Sequence, residues 1–140
     1  MKLQLTAQYL LGLVDSEGMF GLIVHKGGDP TGNKFGLEFK ITQKDHSLYV
    51  LEAIKDYFGC GRIAIDNRKD GTYKFVVTDI LSIVNILIPF FLTNQLNSSK
   101  HLNFTDFARM AEIINSGAHL TIMGAQELLA IYSGMNSKRS

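Results

Sequence analysis

Cysteine occurs once in the 140 residues, at Cys60, and proline only twice. A lone cysteine excludes an internal disulfide framework and a cysteine-built zinc site. The four histidines, His25, His46, His101 and His119, are scattered without the spacing of a metal-ligand set. Thirteen glycines with so little proline rule out a collagen-like or proline-rich chain. Excess charge is lacking too. Fourteen Lys and Arg against thirteen Asp and Glu leave a net +1, a weak footprint for nucleic-acid binding unless the basic residues are sorted onto one face. The most apolar stretch, residues 80–92, is interrupted by Ser82, Asn85 and Pro89 and falls short of the ~20 residues that span a bilayer. Met1-Lys2-Leu3-Gln4-Leu5 shows no basic cluster ahead of an apolar core, so no targeting segment is read there and no membrane partner is expected. The compartment stays undetermined, since expression inside an organelle or in a microbial cytoplasm is equally compatible.

What is present is 46% hydrophobic and 19% charged, the composition of a globular chain long enough for one core. Residues 1–140 are read as one domain. Thr6 is the predicted N-cap of a first helix carrying Leu10, Leu11, Leu13 and Val14 at helical spacing, with Gly18 expected to end it in the left-handed conformation. The period then becomes two: Phe20, Leu22 and Val24 alternate with Gly21, Ile23 and His25. After the turn-rich Gly27-Gly28-Asp29-Pro30-Thr31-Gly32-Asn33, the residues Phe35, Leu37, Phe39 and Ile41 alternate with Lys34, Gly36, Glu38, Lys40 and Thr42.

A second helix is predicted over residues 46–58, with Leu48, Leu51, Ile54 and Tyr57 as its apolar stripe. A second hairpin follows, with Ile63, Ile65, Tyr73, Phe75 and Val77 inward around an Asp70-Gly71 turn. Asp79 would cap a third helix ending near Pro89, and two more helices are predicted over residues 98–115 and 121–133. The order α-β-β-α-β-β-α-α-α predicts an α+β fold, a four-stranded antiparallel sheet with helices on one face. The other sheet face carries Lys34, Lys40, Arg62 and Lys74, with Arg68 and Lys69 in the turn. It reads as a solvated face or as a curved surface lying in a DNA major groove, and spacing does not choose between them.

The first helix holds two conflicts with local stability. Gly12 lies in its interior, where glycine costs roughly 1 kcal/mol relative to alanine. Asp15 and Glu17 lie at its C-terminal end, where the helix dipole disfavours anions. Either they are surface acids, or a cation resolves the conflict.

The stretch Leu10-Leu11-Gly12-Leu13-Val14-Asp15-Ser16-Glu17-Gly18 resembles the LAGLIDADG motif of homing endonucleases, with Val for Ile, Ser for Ala and Glu for Asp. Leu11 departs from it, because the consensus residue there is small. Phe39-Lys40-Ile41-Thr42-Gln43-Lys44 resembles the end of that family's second strand. Asn97-Ser98-Ser99-Lys100-His101 resembles its entry into a late helix bearing a basic residue.

The resemblance implies the saddle-shaped αββαββα fold and metal-dependent hydrolysis of DNA phosphodiesters. It implies Glu17 as the ligand of a divalent metal, helped by the Ser16 backbone carbonyl. It implies Gln43 as the residue orienting water, and Lys100 as the basic residue stabilising the transferring phosphate. Magnesium is the implied ion, with manganese substituting and calcium supporting binding without cleavage. DNA would be read by Gly21, Ile23, His25, Lys34, Gly36, Glu38, Lys40, Arg62, Ala64, Arg68, Lys69, Lys74 and Val76. Ser47 falls where some relatives carry a further basic residue, so that auxiliary role is absent.

Only one such motif occurs, which implies a homodimer joined through Gln8, Leu11, Gly12 and Asp15 and a palindromic or nearly palindromic target. One half of a two-repeat enzyme is the alternative, with Met135-Asn136-Ser137-Lys138-Arg139-Ser140 running into a linker. The rival from another class is a non-cleaving nucleic-acid binder, a regulator or a maturase acting on intron RNA. A phosphate loop at residues 27–34 is excluded, because Asn33 breaks the Gly-Lys-Ser/Thr order and a strand follows.

Overall fold

The computed structural model describes residues 3–27 and 32–137, with side chains of the last helix described through Met135. Met1 and Lys2, the centre of the first turn (residues 28–31) and residues 138–140 lie outside the described residues. Thr6 caps the first helix as predicted, its hydroxyl oxygen accepting the Tyr9 N–H at 3.1 Å. The chain then runs α1 (Ala7–Glu17), β1 (Gly18–Lys26), β2 (Asn33–Lys44), a 3-10 turn (Asp45–Ser47), α2 (Leu48–Phe58), β3 (Arg62–Asn67) and β4 (Thr72–Val77). Next come α3 (Ile80–Ser82), a π-helical turn (Ile83–Leu87) and α4 (Ile88–Thr93), with α5 (Lys100–Asn115) and α6 (Ile122–Ser137) last. This is the order read from the sequence, and the fold is α+β.

The strands lie in the order β1-β2-β4-β3, all pairs antiparallel. Alternation along β2 turns Phe35, Leu37, Phe39 and Ile41 inward, where they meet Leu10 and Val14 of α1, Leu51 and Ile54 of α2, and Phe104 and Phe107 of α5. Phe20 packs among four rings, with centroids 5.1 Å from Phe39, 5.6 Å from Phe91, 5.8 Å from Phe104 and 5.0 Å from Phe107. Among the described residues the buried set contains no polar or charged side chain. None of their helices is long and apolar enough to cross a membrane.

Four expectations fail locally, each for a physical reason. Gly18 is extended, with φ −79 and ψ 153, because α1 passes straight into β1. Its lack of a side chain serves close approach instead, since a Cβ there would lie 2.7 Å from both the Val14 carbonyl oxygen and its Cγ1. Helix formation does not stop at Pro89 but continues to Thr93. The π-helical turn just before it widens the ladder where proline's missing N–H would break an α-helix. Tyr57 is exposed while Phe58 is buried, because the stripe of α2 runs on from Leu51 and Ile54 by a four-residue step to Phe58. Ile65 is likewise exposed, beside the bulge between Ile65 and Asn67.

Asp79 caps α3, accepting the Ser82 N–H at 3.0 Å. Hydrogen bonding from Ser82 holds the Asp79 carboxyl below its ordinary value, more strongly than desolvation raises it. A group with a depressed folded-state pKa stabilises above its unfolded pKa and loses that contribution as pH falls through the folded value. Asp79→Ala is therefore expected to cost about 1 kcal/mol at neutral pH, and its urea curve should converge with wild type as acid protonates the carboxyl.

Candidate active site and nucleic-acid interface

Register explains how the motif reaches the sheet. Gly18 pairs with Ile41, so the antiparallel ladder carried back one residue sets Glu17 beside Thr42. An open depression of about 260 Å³ lies there, lined by Glu17, Thr42, Gln43, Lys44 and Thr72. Gln43 continues the inward face of Phe39 and Ile41 but is only half-buried, leaving its amide at the rim. No hydrogen bond or ion pair among the described residues engages the exposed Glu17 carboxylate. Ser16 is exposed, its hydroxyl donating to the Gly12 and Leu13 carbonyls at 3.1 and 3.2 Å.

Lys100, the first residue of α5, joins this place from the other side. Its ammonium donates to the Gly18 carbonyl, on the residue directly after Glu17. Glu17 and Gln43 thus share one depression, and Lys100 contacts the residue that follows Glu17. Among the described residues there is no group of three His, Cys, Asp or Glu able to hold a metal by itself. A single chain offers one unpaired carboxylate, backbone carbonyls at a helix C-terminus and an amide. These hard donors suit a magnesium-like cation.

The sheet face away from the helices gathers the predicted reading residues. Rows run Met19–Lys40–Val76–Arg62 and Thr42–Lys74–Ala64, with Gly21 opposite Glu38, Ile23 opposite Gly36 and His25 opposite Lys34. Arg68 and Lys69 are exposed at the hairpin tip, where the Asn67 side-chain oxygen accepts the Lys69 and Asp70 N–H groups. Lys44 and Asp45 clamp that tip to β2: the Lys44 ammonium donates to the Asp70 carbonyl at 3.0 Å and the Asp45 N–H to the Gly71 carbonyl at 2.8 Å.

Val76 is a correction. It is 1% exposed, because it is a short side chain on the inner strand β4, flanked in its row by the longer Lys40 and Arg62. Thr42, already read on this face, lies there as well, and Met19 and Asp66 belong to it but were missed. Continuing the alternation one step at each strand end would have found both.

On α1, Gln8 and Gly12 are exposed, and nothing lies within 4 Å of a Cβ built on Gly12. No described residue packs against Gly12 from elsewhere in the chain. Leu11 is half-buried against the core. Asp15 is half-buried and engaged: its carboxylate accepts the Asn97 N–H and the Ser98 hydroxyl, each at 3.2 Å.

With this geometry in place, comparisons with known proteins are specific. A family model described as LAGLIDADG endonuclease matches residues 10–111. A "Probable intron-encoded endonuclease 2" from Neurospora crassa is 31% identical over 106 residues, covering 75% of this chain and 23% of that protein. The chain thus spans about a quarter of that relative. Among solved structures, the homing endonuclease I-TnaI superposes with a TM-score of 0.90 at 28% identity, covering 98% of this chain and 92% of that one. I-SmaMI, bound to an uncleaved DNA target in the presence of calcium ions, gives 0.92 at 25% identity, covering 98% of this chain but 47% of that one.

Proposed function

Since the chain belongs to the LAGLIDADG endonuclease family, we propose that it is one half-site unit of a site-specific double-strand DNA endonuclease, acting as a homodimer with divalent metal. The observation that carries this reading is the Glu17 carboxylate at the C-terminal end of α1, without a partner among the described residues, sharing a depression with Gln43 and followed in the chain by the Gly18 carbonyl that Lys100 contacts. A carboxylate held where the helix dipole opposes it is matched by a cation.

The exposed Gln8 and Gly12 support pairing through α1. A second copy docked there brings a second Glu17, completing the oxygen set that one chain lacks. Glu17 and the Ser16 carbonyl would hold the metal, which when bound supplies charge neutralisation and an activated water. This chain's own groups do the rest. Gln43 orients water at the rim, and Lys100 offers positive charge to the phosphate being transferred.

Magnesium fits the donor set, with manganese able to substitute. Calcium is expected to support binding without cleavage, in line with I-SmaMI bound to an uncleaved DNA target in the presence of calcium ions. Lys34, Lys40, Arg62, Arg68, Lys69 and Lys74 contact phosphates or guanine edges, and Glu38 accepts from cytosine. Near-total coverage of I-TnaI supports a unit that works as a separate chain. Half-coverage of I-SmaMI favours a second reading, one half of a two-repeat enzyme.

A randomised duplex library enriched by binding in Ca²⁺ and challenged with Mg²⁺ tests both, with sedimentation run alongside. Palindromic sites cut by a dimer are the expected result. Sites bound but never cut would replace the nuclease with a non-cleaving binder. A monomer that enriches nothing would make the chain half of a larger protein.

A further inference from the structure

Lys100 occupies the wrong end of its own helix. A cation in the first turn of α5 faces the positive pole of that helix's dipole, and nothing in the local sequence compensates, since that turn carries no acidic residue. The ammonium instead crosses to the Gly18 carbonyl at the end of α1, where a cation is favoured. What aims it is the approach to the helix. Ser98 has φ 59, and it is the sole non-glycine residue with positive φ among those described. Side chains seldom take that conformation unless the surroundings fix it.

The surroundings do fix it. The Ser98 hydroxyl donates to Asp15 Oδ1 at 3.2 Å and accepts the Lys100 N–H at 3.3 Å, while Asp15 Oδ2 accepts the Asn97 N–H at 3.2 Å. The clasp is bounded at both ends by the site, because Asp15 lies two residues before Glu17 and Lys100 two after Ser98. We propose that Asp15 and Ser98 are positioning residues, and that the clasp of Asp15 with Asn97 and Ser98 holds the Lys100 ammonium against the Glu17–Gly18 end of α1. This assigns Asp15 an intrachain task in place of the dimer contact that the motif resemblance implies. It rests on the nuclease reading for its catalytic consequence but not for its geometry.

Two variants test it. Asp15→Asn keeps the shape and removes the charge. Ser98→Gly removes the hydroxyl but takes positive φ without strain, so it keeps the test open if Asp15→Asn folds poorly. Each is expected to lower the single-turnover cleavage rate in Mg²⁺ by about 10²-fold, the scale of an ångström-sized misplacement. Sedimentation and DNA affinity in Ca²⁺ should stay unchanged. In a Lys100→Met background neither should lower the rate further, because both act through Lys100.

A readout independent of cleavage is the Lys100 side-chain ¹H–¹⁵N resonance, assigned by its loss in Lys100→Met. It should be slowly exchanging in wild type and lost to exchange in both variants. A resonance that persists in both variants overturns the proposal, as do additive rate losses in the Lys100→Met background. Dissociation of the dimer with the resonance intact returns Asp15 to the interface and also overturns it. A wild-type protein that cuts no duplex, yet loses the resonance in both variants, sinks the nuclease reading and leaves the positioning role standing.

Discussion

Glu17→Gln should bind its DNA target in Ca²⁺ as wild type does and cut it in Mg²⁺ slower by about three orders of magnitude or more. The amide keeps the shape of the carboxylate and loses the charge that would hold the metal. Because Glu17 is exposed, with no hydrogen bond or ion pair among the described residues, removing its charge breaks nothing in the folded chain. It also removes an anion from the C-terminal turn of α1, where the dipole penalty is about 0.3–1 kcal/mol. The variant should therefore unfold at slightly higher urea than wild type, gaining stability while losing cleavage. Rapid-quench cleavage and urea titration of the same preparation check both signs. Full cleavage by Glu17→Gln would remove Glu17 from the metal site, and a drop in stability would mean the carboxylate has a structural partner.

Phe20→Ala carries the largest expected loss of stability, about 3–5 kcal/mol for a truncated buried aromatic, against total stabilities of about 5–15 kcal/mol. Its ring is 6% exposed and touches Phe39 on β2, Phe91 on α4, and Phe104 and Phe107 on α5. One side chain thus ties the start of β1 to the helix that begins with Lys100. Emptying its place loosens α5 against the α1–β1 junction, so cleavage should fall at temperatures where the variant is still folded. Equilibrium urea unfolding should show a lowered midpoint at an unchanged slope. Phe20→Leu, which refills most of the volume, should recover part of both losses. A cost below about 1 kcal/mol for Phe20→Ala would mean that the neighbouring rings close over the gap.

Much of this was legible in the chain because it depends on short-range chemistry. Period-two alternation put Phe35, Leu37, Phe39 and Ile41 on one face, and they are all buried. Thr6 and Asp79 are caps in the structure as in the sequence. The motif stretch stood out because Gly12 and Glu17 oppose local helix stability, a conflict visible from position alone. Gly18 was misread, since what excludes a side chain there is contact with Val14 one turn earlier. The end of α4 was misread because a π-helical turn absorbs Pro89, and no residue type announces such a turn.

The amino-acid sequence by itself determined the order of elements, the inward face of β2 and the residues able to do chemistry. Those properties follow from propensity, periodicity and side-chain type, which act over a few residues. Tertiary structure alone decided that Lys100, at the unfavourable end of α5, reaches the favourable end of α1. It decided as well that Asp15 is bound to Ser98 and that Lys40 pairs with Asp66. Each of these joins groups more than twenty residues apart, and a charge's effect depends on which helix end it meets in space rather than on which helix it belongs to.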